Sequence, residues 1–289
     1  MDLKQLRYFY EIVRLGSFTR AAEVLHVAQP AVSVAIRKLE TELALQLFQR
    51  HDRKVSLTAE GERLWVHAQR ILQAVDNARL EMQELKGLTK GEVRIGVSGM
   101  MGSYYFPPIL MAFRHRYPHL SLQVIEGGTW QLQQMLERAE LDLAVIVREF
   151  LPNELEARVI SREEMRVVVA REHPFAQQTA VSLAEFFKEE LVLFRSGYFH
   201  RKLVDQLATE LGVQPIIGFE TNLIPLIKSI IKQGFGISTL LAMAVEEDPD
   251  LVHLPFTEPI YLDLCIAWRR EGYLSKANQV FVDFLLENT

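Results

Sequence analysis

Between Glu62 and Lys86 the chain has neither glycine nor proline, and Leu64, Ala68, Ile71, Val75, Ala78, Met82 and Leu85 recur at spacings of 4, 3, 4, 3, 4 and 3. That is a heptad seam sustained over three repeats. Opened by Thr58, with Gly61 and Glu62 close behind, it predicts a helix of about 28 residues and about 42 Å. An apolar stripe on an otherwise polar helix has to be covered, either by the helix's own domain or by a partner helix. A seam only two positions wide favours the partner, so the chain is expected to form a dimer. The helix also divides the chain, because the patterns on its two sides differ.

On the N-terminal side the signals are short and helical. Leu3, Leu6, Phe9, Ile12 and Val13 follow a helical period that Gly16 stops. Ser17 suits the N-cap of a second helix whose Ala21, Ala22 and Leu25 form a close-packing face. Gln29-Pro30 then begins a third helix over 30–43, since proline is tolerated in the first turn and not inside. Its Val32, Ile36, Leu39 and Leu43 make one apolar stripe, leaving Gln29, Ser33, Val34, Arg37 and Lys38 on other faces. Two short helices joined by about three residues, the second with a polar face, predict a helix-turn-helix. Residues 47–57 read as a hairpin whose tip carries Arg50, Arg53 and Lys54, placed to follow a phosphate backbone or to form a solvated turn.

Charge supports this division of labour. The net charge of −5 argues at first sight against nucleic acid. Residues 1–57, however, hold nine Lys/Arg against six Asp/Glu, residues 58–90 hold five of each, and residues 91–289 hold 18 against 26. A small basic head and a larger acidic body can bind DNA with one part and something else with the other. A composition of 49% hydrophobic and 24% charged residues is that of a globular protein. No apolar run of membrane length and no leader pattern is read, and a single Cys265 fits a reducing cytoplasm.

From Glu92 onward, strand-like and helix-like segments alternate. Strands are expected near 93–97, 120–125, 143–147, 166–170, 191–194, 216–219, 236–239 and 261–268, with helices at 107–116, 130–138, 200–211, 224–232 and 276–287. This alternation predicts two α/β lobes built on parallel sheets with crossover helices.

Catalytic motifs are poorly formed. Gly96, Gly99 and Gly102 imitate a dinucleotide loop, but Ser98 stands where the second glycine belongs. Gly96-Val97-Ser98-Gly99 is one residue short of a nucleophile elbow. His115 and His119 are four apart with Pro118 between them, and no metal-ligand spacing is found. Cys265 reads as a small core residue. Neither metal nor cofactor is expected.

The chain resembles the LysR-type transcriptional regulators of bacteria. The residues carrying the resemblance are Leu3 to Phe9, Ser17-Phe18-Thr19-Arg20-Ala21-Ala22, Gln29-Pro30-Ala31-Val32-Ser33, Ile36-Arg37-Lys38-Leu39-Glu40, Leu47-Phe48 with Arg50, and Leu57-Thr58-Ala59-Glu60-Gly61. A looser match follows at Val93-Arg94-Ile95-Gly96, Asp142-Leu143-Ala144, Glu172-His173-Pro174 and Gly234-Phe235-Gly236-Ile237.

That resemblance implies a winged helix-turn-helix over 1–58, a linker and dimerisation helix with hinge over 59–90, and an effector domain over 91–289. The effector domain would comprise two Rossmann-like lobes resembling periplasmic binding proteins, lobe I at 91–162 plus 267–289 and lobe II at 163–266. It implies a homodimer or a dimer of dimers on an interrupted palindrome in double-stranded DNA, a small-molecule effector, contact with RNA polymerase, and no membrane association. DNA would be met by Gln29, Pro30, Ser33, Val34, Arg37 and Lys38, with Arg50, Arg53 and Lys54 in the wing. Gln pairs with adenine, Arg with guanine, and cations with phosphate. Ala28 departs from the usual serine and removes a side-chain cap. Val34 departs from a usually polar residue, and either meets a thymine methyl or packs within its own domain.

For the effector, the resemblance points to strand ends and helix starts: Ser98, Gly99, Met100 and Met101, then Thr129, then Val147 and Arg148 from lobe I. Phe194, Arg195, Ser196, Phe199, Thr221 and Asn222 fall at equivalent places in lobe II. Arg148 and Arg195 would favour a small anion, unless each serves in an ion pair. The rival readings are an α/β enzyme or a solute-binding module fused to a DNA-binding head.

Overall fold

The computed structural model describes residues 1–49, 55–84 and 91–288, and the chain packs as two units, Met1–Leu88 and Thr89–Thr289. In the first unit, α1 (Leu3–Leu15) starts at a reciprocal cap. The Gln5 amide donates to Asp2 Oδ1 at 2.7 Å, and the Asp2 amide donates to Gln5 Oε1 at 2.8 Å. It ends where Gly16 turns left-handed at φ 62°. Ser17 then accepts from the Arg20 amide and opens α2 (Phe18–Val24).

The next helix, α3 (Gln29–Leu43), begins after Ala28 with no side-chain cap. Leu6, Phe9, Ile12, Ala21, Val32, Ile36 and Leu39 close the core between these helices. Phe48 lids it, its ring 5.4 Å from Phe9 and 5.3 Å from Phe18. An antiparallel bridge between Phe48 and Leu57, with Gln49 N–H donating to Ser56 O at 2.9 Å, forms the stem of the expected hairpin. Its tip, with Arg50, Arg53 and Lys54, lies outside the described residues.

Helix α4 (Ala59–Glu84) is the predicted long helix, about 39 Å at the standard rise. Thr58 Oγ1 accepts from Gly61 N at 3.0 Å, and Gly61 packs on the Leu47 carbonyl so closely that a β-carbon there would stand 2.1 Å from its oxygen. Glycine is required because backbone fills the space.

The second unit opens with β1 (Gly91–Val97), a π-helical turn over Met101–Tyr105, α5 (Phe106–Arg116), β2 (Leu120–Glu126), α6 (Thr129–Glu137) and β3 (Leu143–Val147). It continues through β4 (Leu155–Ala170), α7 (Leu183–Phe186), β5 (Glu190–Leu193), α8 (Phe199–Leu211), β6 (Ile216–Glu220), α9 (Ile224–Lys232), β7 (Ser238–Leu241), β8 (Leu251–Arg269) and α10 (Lys276–Glu287). The sheet order is β2-β1-β3-β8-β4-β7, with β1, β2 and β3 parallel and β8 and β4 antiparallel to their neighbours. A parallel pair, β5-β6, attaches beside β7 through a single bridge from Leu191 to Ile237.

The two long strands β4 and β8 run through both lobes and connect them. Their register slips between Met165 and Arg166, whose partners on β8 are Ile260 and Pro255. This places the crossing of β8 near 255–260, earlier than expected. Leu264, Cys265 and Ile266, assigned to lobe II on the sequence, pair with β3 and belong to lobe I. The lobes share a core in which Val93, Ile95 and Phe281 of lobe I are continuous with Ile224, Ile227 and Leu240 of lobe II.

Candidate DNA-reading helix and effector cleft

Helix α3 is two-faced by necessity. Val32, Ile36 and Leu39 are buried, so the helical period turns Gln29, Pro30, Val34, Arg37 and Lys38 outward. Val34 is 62% exposed, which removes the reading that it packs within its own domain. Gln29 Nε2 donates to Ser33 Oγ at 2.9 Å, one turn along the same face. The exposed face therefore combines an oriented amide, a methyl-bearing side chain and two cations, the groups that read base edges and hold phosphate.

The heptad seam divides in two. Ala68 is fully buried in the head's own core, with Leu64 and Ile71 packed against it. Trp65 stacks on Tyr10 at 4.9 Å, and Arg7 reaches Asp76 at 3.3 Å, so α1 lies along this part of α4. The expectation that the whole seam meets a partner is corrected for Ala68, because its own α1 already covers it. Further along, Val75 is half-buried, Ala78 is exposed and Met82 is 52% exposed. Leu85 lies outside the described residues.

In the second unit, Ser98 and Gly99 lead from β1 into the helical turn, and Thr129 is the first residue of α6. Val147 ends β3 and is buried. Across from them, Arg195 N–H donates to Asn222 Oδ1 at 2.9 Å, Thr221 Oγ1 accepts from Leu223 N at 3.2 Å, and Ser196 is exposed. Each of these residues lies just past a strand end, at a strand end or at a helix start. Met100 and Met101 are different: both are buried in the shared core, and Met100 Sδ accepts from Leu241 N at 3.4 Å. They join the lobes and are not open to a ligand. Phe194 and Phe199 are also buried in that core. Arg148 Nη1 lies 3.7 Å from Asp263 Oδ2 on an exposed side chain.

Sequence reasoning missed the residues that bring the lobes together. Glu126 ends β2 opposite Val97, and its Oε1 accepts from the Tyr198 hydroxyl at 3.2 Å. The same oxygen would stand 3.4 Å from a β-carbon at Gly99. Beside it, a β-carbon at Gly128 would meet Gly197 O at 2.7 Å, so the two lobes touch backbone to backbone. The available signal was position alone: Glu126 is the last residue of an alternating strand, just before Gly127-Gly128. His200 follows Tyr198 closely, and burial against Phe194 and Phe199 pushes its imidazole down to about 4. Burial pushes the Cys265 thiol up to about 11, which suits a core residue rather than a nucleophile. Among the described residues no three acidic, His or Cys side chains gather as a metal site, and no helix is long and apolar enough to cross a membrane.

Comparison with known proteins agrees with both units. Residues 3–62 match the bacterial regulatory helix-turn-helix of the lysR family, and residues 86–289 match the LysR substrate binding domain. An uncharacterized HTH-type transcriptional regulator, YcgK of Bacillus subtilis (strain 168), is 31% identical over 100% of this chain and 95% of its own length. The RuBisCO operon transcriptional regulator of Allochromatium vinosum is 30% identical, over 99% of this chain and 96% of its own. Among solved structures, a full-length OxyR variant from Pseudomonas aeruginosa superposes with a TM-score of 0.77 at 26% identity, covering 99% of this chain and 94% of that one. The chain belongs to the LysR family and is a DNA-binding transcriptional regulator with an effector-binding domain.

Proposed function

We propose that this regulator reads an interrupted palindrome with paired heads, and that a small molecule between its two lobes sets how those heads are presented. Gln29, Ser33, Val34 and Arg37 face the base edges, while Lys38 and the wing residues Arg50, Arg53 and Lys54 contact phosphate. The observation that carries this is the 62% exposure of Val34 beside the ordered Gln29–Ser33 pair, an apolar and amide surface turned away from the core. Because the head's excess charge is small, affinity comes from base contacts and from pairing heads on one DNA more than from charge attraction.

The effector site in this reading is the cleft edged by Ser98, Gly99 and Thr129 from lobe I and by Arg195, Ser196, Thr221 and Asn222 from lobe II. Arg195 supplies a positive group and Glu126 a negative one, so the effector's charge is selected between them. Binding favours one arrangement of the lobes over another, and a homodimer or dimer of dimers transmits this to DNA bending and to RNA polymerase in the cytoplasm. Nuclease footprinting on the chain's own upstream region tests the first part. Two protected half-sites with dyad symmetry, about one helical turn apart, are expected. A footprint without a dyad refutes paired heads. A thermal-shift screen repeated on Arg195→Ala and Glu126→Gln tests the second, since a ligand indifferent to both does not occupy the cleft.

A further inference from the structure

A cavity of about 640 Å³ opens between α6 of lobe I and α8 of lobe II, outside the cleft proper. Thr129 and Ser196 border both spaces, while Ser98, Gly99, Thr221 and Asn222 do not line this one. Its volume falls in the range of small-molecule sites. One wall is the Trp130 indole, 59% exposed on the second residue of α6, where core packing does not account for it. The half-buried Tyr198 adds a second ring to the lining, and the buried Phe199 underlies it.

The charges along the cavity cancel. Arg201 Nε lies 2.9 Å from Asp205 and its Nη1 is bonded to Glu220, while Lys202 and Glu210 contribute one charge of each sign. What remains for recognition is the aromatic lining with the amide of Gln206 and the carbonyl side of Gln133, whose Nε2 donates to Glu137 at 3.0 Å. A flat ring with hydrogen-bonding edges and no net charge fits such a surface, since stacking holds its face and amides match its rim.

We propose that this cavity is a second ligand site, distinct from the effector cleft, and that it takes an uncharged nucleoside or a nucleobase of that kind stacked on Trp130. Occupancy bridges α6 to α8 and so favours the lobe arrangement seen here, acting on the same equilibrium as the cleft effector.

Titration calorimetry and thermal shift on the full chain with adenosine, cytidine and thymidine test this, with benzoate as the charged aromatic control. At least one nucleoside is expected to bind and raise Tm, and benzoate is not. Trp130→Ala, at an exposed position, should weaken binding about tenfold or more, the usual consequence of losing one stacking platform. It should leave DNA affinity unchanged. Gln206→Leu should weaken binding several-fold while preserving the fold. No nucleoside binding at millimolar concentration, or binding indifferent to Trp130→Ala, overturns the proposal. Neither result touches the cleft reading, which stands or falls on Arg195 and Glu126.

Discussion

The Tyr198 hydroxyl of lobe II donates to Glu126 Oε1 of lobe I at 3.2 Å, beside the Gly128–Gly197 backbone contact. This pair ties the end of β2 to the residue before α8 and so joins the two lobes. Tyr198→Phe and Glu126→Ala should each release about 1 kcal/mol of closure, since each removes one partner of a single partly exposed hydrogen bond. Hydrogen exchange should rise roughly fivefold at 127–128 and 197–199, and the double variant should exceed neither single one. Additive effects would mean that the two residues act separately. Burial, and then the Glu126 charge, holds the phenol above its ordinary value of 10. The latch is therefore intact below pH 10 and weakens as pH rises beyond it.

His200 makes the effector domain sensitive to acid. Its Nε2 is buried without a partner, and the neutral ring is favoured in the fold, with the folded value near 4 against 6.5 when unfolded. Between those values the unfolded chain binds more protons, so stability is complete above pH 6.5 and falls as pH drops toward 4. The loss by pH 4 is roughly 3 kcal/mol from this residue. Urea unfolding from pH 7 to 4.5 should show a clearly shallower decline in His200→Phe; equal slopes would remove His200 from the account.

Gln29→Ala should cost about tenfold in affinity at the specific site, with little change on random DNA at the same salt. Ser33→Ala should produce a smaller loss, because it frees the Gln29 amide from its 2.9 Å contact without removing it. Equal losses on specific and random DNA would move Gln29 from base reading to simple positioning.

Gly61→Ala tests the packing of the head. A β-carbon 2.1 Å from Leu47 O cannot be accommodated without moving backbone, so a loss of about 2 kcal/mol or more is expected. An unchanged Tm would show that α4 shifts freely against the hairpin.

Met82→Glu should weaken self-association, measured by sedimentation across a range of concentrations, while leaving monomer unfolding nearly unchanged. Met82 is 52% exposed and its own unit does not cover it. Substitution at Ala68, which is fully buried, should instead unfold the head. If Met82→Glu leaves assembly intact, the distal seam is not the contact.

Sequence by itself determined what neighbouring residues can encode. Helical spacing and the Gly16 and Ser17 signals placed α1, α2 and α3 nearly to the residue, and the unbroken stretch after Gly61 placed α4. Apolar alternation found β1, an unbroken apolar run found β3, and with them came the strand ends next to Ser98 and Arg148. The long connecting strands were only half legible. The first part of β4 alternates with Glu156, Arg158 and Arg162, and β8 contains Pro255 and Pro259, which argue locally against a strand. Only pairing along each other's length makes them one continuous crossing.

Tertiary structure alone decided which side of a legible element is used. The seven seam positions follow one period, yet Ala68 is taken by α1 and Met82 is left outside, because the helix outruns the domain that covers it. Met100 and Met101 lie at a strand end and still belong to the core joining the lobes. Glu126 and Tyr198 are 72 positions apart, and no local pattern links them. Period and caps are properties of neighbouring residues, whereas burial and pairing across lobes depend on which distant surface arrives.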